Sequence, residues 1–370
     1  MPNPLLGVFF HWIGGLASAS FYVPFRQVKG WAWETYWLVG GIFSWVVAPF
    51  LIASLLVKDL PAILQEVPVR TVLWCYLFGV FWGFGGLTFG LTMRYLGMSL
   101  GMAVALGYGA AFGTLVPPIV SGEFAAKILG TASGLLILTG VGICVCGIAV
   151  AGMAGISKER ELSPERRTAV IKEFNLKKGL LVATFCGIMS ACFAYGLAAG
   201  GPVREAAARH GVAPLWQGLP VLVIVLAGGF TTNVVWCIVL HVRNRTGTEY
   251  FQGRAPLLSN YILSALAGVI WYMQFFFYTM GEVQMGTYRF SSWTLHMASI
   301  MIFGTFWGLA LKEWRGAGTR TMRLLALSVA VLVASTLVVG YGNYVGQFES
   351  LARAHGSELR PSGSGPVLAH

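Results

Sequence analysis

The sequence predicts an all-α integral membrane protein, built from ten transmembrane helices that form a 5+5 inverted repeat. Three observations support this fold class. Hydrophobic residues make up 56% of the 370-residue chain and charged residues only 11%, with a mean hydropathy of +0.71, whereas soluble domains carry about 25% charged residues. The apolar residues fall into ten continuous runs of membrane-spanning length. Short matching stretches also recur, in order, in the two halves of the chain.

The ten apolar runs are predicted to be helices and not strands. A bilayer offers no hydrogen-bond partner to the backbone, so only helices and closed barrels cross it. The strands of a barrel are alternating segments of about ten residues, whereas these runs are continuous and about twice that length. The first run follows no basic region, and we interpret it as a retained helix. The predicted helices are Leu5–Phe25, Trp33–Val57, Thr71–Thr92, Met98–Ile119, Leu129–Gly152, Lys177–Gly200, Pro214–Leu240, Pro256–Thr279, Ser291–Leu311 and Thr321–Val345.

Small residues repeat between the first five runs and the last five. A unit of five helices crosses the membrane an odd number of times, so a second copy must begin on the opposite side and have the inverted orientation. Inverted repeats of this kind occur in secondary transporters, which bind their substrate near the midplane between the halves. The matched positions are Gly7/Gly179, Gly15/Gly187, Ser18/Ser190, Ala19/Ala191 and Phe21/Phe193 on helices one and six, Gly79/Gly268 and Gly97/Gly286 on three and eight, and Phe112–Thr114 with Phe303–Thr305 on four and nine.

The repeat divides the chain into four parts. Residues 1–155 form the first five-helix unit, 156–176 a polar linker, 177–346 the second unit, and 347–370 a Gly/Ser/Pro-rich tail that we expect to be disordered. Most of the 25 Lys and Arg residues follow odd-numbered helices. The positive-inside rule then places the linker in the cytoplasm and both termini in the periplasm. The net charge of +11 is thus interpreted as a topology signal and not as nucleic-acid binding.

Two motifs of catalysis are missing from the sequence. It contains neither a GxxxxGK[ST] nor an HExxH pattern, and its single aspartate, Asp59, lies in a loop, so neither an ATPase nor a membrane-embedded enzyme with a metal or an aspartate pair is indicated. The six cysteines lie within apolar runs without a CxxC spacing, and we predict neither a metal site nor a cofactor. The remaining classes are a carrier that takes up a substrate, an exporter or exchanger of another small metabolite on the same architecture, and a channel.

Four polar side chains are predicted to converge in the outer third of the bundle. His11 and His296 lie at similar depths, roughly 8–10 Å below the outer surface at 1.5 Å per residue, and Gln274 and Tyr278 lie near the outer end of helix eight. Such groups pair well with sugar hydroxyls. The alternative interpretation is that the histidines are hydrogen-bonded within packed helices.

Three tryptophans accompany these polar groups. Trp12, Trp271 and Trp293 would offer flat apolar faces to the C–H side of a sugar ring. The sequence therefore predicts a site with hydrogen-bonding groups and aromatic surfaces side by side.

Three charged residues near helix ends are weighed separately. Glu34 begins helix two and is interpreted either as an acid that complements the helix dipole or as a proton carrier or gate. Arg94 ends helix three on the same side, where it can pair with Glu34. Glu282 falls in the predicted outer loop, where we expect it to be solvated. Because coupling requires a group whose protonation changes as the site opens and closes, Glu34, His11 and His296 are the candidate proton carriers.

Seven motifs, in order along the chain, resemble the L-rhamnose–proton symporters, which are ten-helix members of the drug/metabolite transporter superfamily. The resemblance spans roughly residues 7–346. The motifs are FYVPF with the basic turn that follows it, WAWETYW, LTMRYLGMSLG, EFNLKKG, WYMQFFFY, SSWTLHM and LKEW.

This resemblance implies proton-coupled uptake of L-rhamnose or a related 6-deoxyhexose across a bacterial inner membrane. It implies a drug/metabolite transporter-like fold, the proton as the coupling ion, and the sugar, the proton and the lipid bilayer as partners. L-Fucose, L-lyxose and L-mannose would present similar hydroxyl patterns. The residues that match the pattern of the family are His11, Tyr22, Glu34, Arg94, Gln274, Tyr278 and His296.

Overall fold

The computed structural model describes residues 2–96, 98–161, 175–251 and 256–358, and no strand is found among them. Within these ranges, ten helices are long and apolar enough to cross a membrane, which confirms the predicted number. We label them by their bounds: α1 Pro4–Phe25, α2 Trp33–Leu56, α3 Val69–Leu96, α4 Met98–Val120, α5 Ala132–Arg160, α6 Leu176–Arg209, α7 Pro214–Asn244, α8 Leu257–Gln284, α9 Gly286–Ala310 and α10 Thr319–Glu358.

Four helices extend well beyond the predicted ends, because a helix does not stop where its apolar run stops. Helix α5 continues past Gly152 to Arg160. The second segment of α6, Gly201–Arg209, continues the helix past Gly200 with a partly polar face. Helix α8 runs through the predicted outer loop to Gln284. Helix α10 reaches Glu358, so it enters the segment predicted as a tail. Residues 359–370, most of the linker and Gly97 lie outside the described residues.

Contacts at the helix ends define two faces of the bundle. On one face, which holds the N-terminus, Asn3 N donates to Gln284 Oε1 at 2.7 Å. On the other face, next to the linker, Arg26 pairs with Glu313 at 3.0 Å. We call these the N-terminal face and the linker face. The helix ends alternate between them along the chain, so α1 and α6 run in opposite directions, as an odd-numbered unit requires.

Matched glycines of the two halves make matched contacts. A Cβ at Gly15 on α1 would lie 2.3 Å from Ser299 of α9, and a Cβ at Gly187 on α6 would lie 2.5 Å from Tyr108 of α4. Only a residue without a side chain allows these approaches. In the same way, Gly79 of α3 meets the backbone of α7, and Gly268 of α8 meets the backbone of α2.

One matched glycine pair does not follow this pattern. Gly113 packs against Trp293, whereas a Cβ at Gly304 would meet no atom within 4 Å. The packing is nevertheless compatible with the 5+5 inverted repeat, which stays a prediction.

An ion pair on the N-terminal face joins the first half to the second. Glu66 ends the short helix Leu60–Glu66 and accepts hydrogen bonds from Arg209 Nε at 2.9 Å and from Arg209 Nη2. His210 Nε2 lies 3.0 Å from its other oxygen. These hydrogen bonds, that of Arg209 first, lower the pKa of Glu66. A lowered carboxyl pKa contributes stability above the ordinary titration range of glutamate, and this contribution is lost as the pH falls through the lowered pKa.

We therefore expect Glu66→Gln to lower the melting temperature of the purified protein slightly at neutral pH and not at all in acid. The effect is small because the pair is exposed to solvent. Melting curves from neutral to acid pH check this, with Glu205→Gln, which replaces an exposed acid on the helical segment of Arg209, as the control. A difference between wild type and Glu66→Gln that persists in acid would contradict it.

Candidate functional site

Four polar side chains from three helices meet inside the bundle, and we call them the polar cluster. His11 comes from α1, Gln274 and Tyr278 from α8, and His296 from α9. The ring of Tyr278 lies 5.3 Å from the rings of both histidines, centroid to centroid, and the two histidine rings are 6.4 Å apart. His296 Nε2 lies 3.3 Å from Gln274 Oε1. The structure thus brings together the four residues that helix depth predicted to converge.

Glycines allow these helices to approach one another closely. A Cβ at Gly14 would lie 3.1 Å from the carbonyl oxygen of Gln274 and 3.5 Å from the ring of His296. A Cβ at Gly281 would lie 2.8 Å from Nε2 of His11. The small residues of α1 and α8 therefore hold the histidines against the neighbouring helices without intervening side chains.

The polar cluster has unused hydrogen-bonding capacity. Both ring nitrogens of His11, Nε2 of Gln274 and Nδ1 of His296 are buried without a hydrogen-bond partner among the described residues. A buried polar group without a partner costs about 1–3 kcal/mol. The predicted alternative, in which the histidines are satisfied by the packed helices, is therefore wrong for His11. Such atoms are suited to a ligand that brings its own donors and acceptors.

A small aromatic-lined cavity lies one helical turn along α8 from the polar cluster, towards the linker face. Trp271 lines it one helical turn from Gln274, and the ring of Phe21 lies 4.0 Å from that of Trp271. Ser44 Oγ and the indole nitrogens of Trp45 and Trp271 are buried there without a partner among the described residues. The cavity is lined by Phe21, Phe25, Trp37, Gly40, Gly41, Ser44, Trp45, Ala267, Gly268 and Trp271.

Trp293 belongs to the wall of the polar cluster. Its indole Nε1 donates to the carbonyl of Gly109 at 2.8 Å, and its ring lies 6.4 Å from that of His296. A Cβ at Gly113 would lie 2.3 Å from the Trp293 ring, so the ring is fixed against α4. Trp293 can offer a face to a ligand, but its nitrogen is already used.

Three residues of the predicted site lie elsewhere. Tyr22 is 45% exposed and packs on Phe21 and Phe25, near the linker face. Glu34 also lies at the linker face, and Arg94 ends α3. The ion pairs between described residues do not include one from Glu34 to Arg94.

The carboxylate of Glu34 is bound by other partners. Its Oε1 accepts from Asn244 Nδ2 at 2.9 Å and from Thr246 Oγ1 at 2.8 Å. Both partners follow or end α7 and are more than 200 residues away in the chain.

The expectation that Glu282 is solvated is wrong. Its side chain is 9% exposed and pairs with Arg204, 11% exposed, at 2.8 Å. Arg204 Nε is buried without a partner among the described residues. Tyr278 precedes Glu282 by one turn, so this ion pair adjoins the polar cluster. The sequence feature that could have predicted the ion pair is the segment after Gly200, GPVREAAAR. Its apolar and polar residues have the spacing of an amphipathic helix, which places Arg204 on a continuation of α6.

Comparison with known proteins places this architecture in a family. The family model described as L-rhamnose-proton symport protein (RhaT) matches residues 1–345. Proteins of Salmonella paratyphi B and Salmonella newport, both named L-rhamnose-proton symporter, are 42% identical to the chain over 341 residues, which cover 91% of this chain and 97% of theirs. The chain therefore belongs to the L-rhamnose-proton symport protein family.

Proposed function

We propose that this protein takes up L-rhamnose, or a related 6-deoxyhexose, together with protons across a bacterial inner membrane. The observation that carries the proposal is the polar cluster with its unpartnered buried nitrogens, one helical turn along α8 from an aromatic cavity. The hydroxyl groups of a deoxy sugar can bind the polar cluster, and its apolar C–H face and methyl group can pack in the aromatic cavity. The similar proteins of known name are symporters of this sugar and protons, and we found no observation that favours an exporter.

The sugar then lies across the boundary between the two parts of the site. Its hydroxyls bind His11, Gln274 and His296, and its apolar side faces Trp271. Trp271 and Gln274 are one turn apart on α8, so one helix serves both contacts.

The N-terminal face is assigned to the periplasm and the linker face to the cytoplasm. The support for this assignment is the excess of Lys and Arg in the loops after odd-numbered helices. With it, α1 runs inward from the periplasm, the polar cluster lies on the periplasmic side of the aromatic cavity, and Glu34 lies at the cytoplasmic end.

Transport follows from alternating access of the two halves. Ion pairs join the two halves at both faces in this arrangement, Glu66–Arg209 on one and Arg26–Glu313 on the other. Related halves of opposite orientation can exchange conformations, which opens one face while the other stays shut. The coupling proton binds at one of the candidate carriers His11, His296 or Glu34.

Rhamnose counterflow in proteoliposomes tests the binding site. We expect Trp271→Ala to weaken the apparent affinity for L-rhamnose about tenfold, since it removes a stacking surface worth 0.5–1.5 kcal/mol beyond its buried area. Trp74→Ala, on the 45% exposed Trp74 of α3, is the matched control and should transport like wild type. Equal affinities of the two variants would contradict the assigned site. Lack of L-rhamnose counterflow in the wild type would contradict the substrate.

A further inference from the structure

A hydrogen-bonded chain links a buried carboxylate to the surface of the linker face. Thr246 Oγ1 donates to Glu34 Oε1 at 2.8 Å and lies 2.8 Å from His241 Nδ1. His241 Nε2 lies 2.8 Å from the hydroxyl of Tyr250. Glu34 is 3% exposed, whereas His241 and Tyr250 are half-buried. The chain therefore runs from the interior towards solvent through groups that can each accept and donate a proton.

With Glu34 ionised and His241 neutral, every hydrogen bond in this chain has one direction. The Thr246 hydroxyl has one proton and donates it to the Glu34 carboxylate, so it must accept from Nδ1–H of His241. The neutral ring then has its lone pair at Nε2, which accepts from the hydroxyl of Tyr250. With a proton on Glu34 the chain can take the opposite polarity, in which Glu34 donates to Thr246 and Thr246 donates to Nδ1 of His241.

The backbone around the chain holds these side chains in place. Helix α7 ends at Asn244, and Arg245 takes a left-handed conformation with φ 57°, as is common just after a helix. This turn brings Thr246 back over the last turn of α7. Glu249 Oε2 accepts from the backbone N–H of Ala32 at 2.7 Å, which ties the loop to the start of α2.

Glu34 has no Lys or Arg as an ion-pair partner among the described residues. Protonation of Glu34 therefore breaks no ion pair, and its proton has one hydrogen-bonded path to the surface within the described structure. The titratable and charged groups that face Glu34 or the first turn of its helix are His241 and Cys237 of α7, Tyr250 and Glu249 of the following loop, and Tyr36 of α2.

We propose that Glu34, Thr246 and His241 form the relay through which the coupling proton leaves to the cytoplasm, an inference that rests on the proton-coupled uptake proposed above. The protonated Glu34 transfers its proton to Thr246 Oγ1, while the Thr246 proton moves to Nδ1 of His241. His241 is then an imidazolium and passes its Nε2 proton to the hydroxyl of Tyr250, whose own proton leaves to cytoplasmic water. One proton enters the relay and one leaves, and the result is the hydrogen-bond pattern of the structure. Exchange with water returns the ring to the Nε2–H tautomer for the next cycle.

The relay is tested with Thr246→Val, which removes the hydroxyl and keeps the shape of the side chain. In proteoliposomes we expect L-rhamnose uptake driven by a proton gradient, and sugar-dependent proton entry reported by an internal pH dye, to slow by about a hundredfold, the low end of what one acid–base group contributes. Counterflow at equal pH should stay within about twofold, because the loaded carrier moves both ways there without net proton release. Thr246→Ser, which keeps the hydroxyl, should restore coupled uptake.

A second variant and a control complete the experiment. His241→Gln removes the titratable ring and should give the phenotype of Thr246→Val, so it decides the question if Thr246→Val does not fold. Thr248→Val, in the exposed part of the same loop, should behave like wild type. Coupled uptake at wild-type rate in either relay variant overturns the relay, and so does a parallel loss of counterflow, which indicates a structural clamp. A wild type that shows counterflow without proton entry overturns the proposed coupling instead.

Discussion

Arg204→Gln is expected to destabilise the protein by about 3–5 kcal/mol, the cost of leaving one buried charge without its partner. The carboxylate of Glu282, whose side chain is only 9% exposed, would lose its ion-pair partner. Glu282→Gln should destabilise by a similar amount, because Arg204 lies among the fully buried side chains Val203 and Ala207. Unfolding of the purified protein in detergent, followed by melting curves or denaturant titration, measures both effects.

The double variant separates the pair from the individual side chains. Replacing both residues by glutamine removes both charges, so we expect most of the lost stability to return, with a coupling energy of a few kcal/mol in the double-mutant cycle. Arg209→Gln is the matched control, since Arg209 lies on the same helix, pairs with a glutamate and is 58% exposed. Its cost should be below about 1 kcal/mol. Additive effects of Arg204→Gln and Glu282→Gln would show that the two side chains do not act as a buried pair.

The contrast between this ion pair and the polar cluster shows what the sequence could predict. The convergence of His11, Gln274 and His296 followed from counting residues along apolar runs, because helix depth depends only on rise per residue. Glu282 was misplaced because the same counting ends a helix at the first polar residues. Helix α8 continues there, since its polar end is covered by Arg204 on α6.

Contacts between helices were beyond prediction for a related reason. The depth of a residue in the membrane can be counted along one helix, but which residues of two helices contact each other depends on the rotation of each helix about its axis and on packing. Ser44 and Trp45 line the cavity from a π-helical turn of α2, Phe43–Val47, and the composition of this segment does not predict such a turn. Glu34 has a basic turn as its neighbour in sequence, yet its partners in space are Asn244 and Thr246.

His11→Leu is expected to abolish efficient transport while leaving the protein at least as stable as wild type. Both ring nitrogens of His11 are buried and have no partner among the described residues, so the ring destabilises the folded protein when no ligand is bound. An apolar side chain of similar size removes an unsatisfied group worth about 1–3 kcal/mol. The same change removes hydrogen bonds to the sugar, and the apparent affinity for L-rhamnose should fall about tenfold to a hundredfold.

A gain in stability together with a loss of L-rhamnose affinity distinguishes a ligand-binding histidine from a structural one. A histidine kept for packing would cost stability when replaced, and transport would fall in proportion to the folded protein that is lost. Trp12→Phe is the control: its indole N–H is also buried without a partner, on the same helix, but its ring packs on Phe303 instead of the polar cluster. Its affinity for L-rhamnose should match wild type. Melting temperature and rhamnose counterflow, measured on the same preparations, decide between the two roles, and a His11→Leu protein that is less stable but binds L-rhamnose normally would remove His11 from the site.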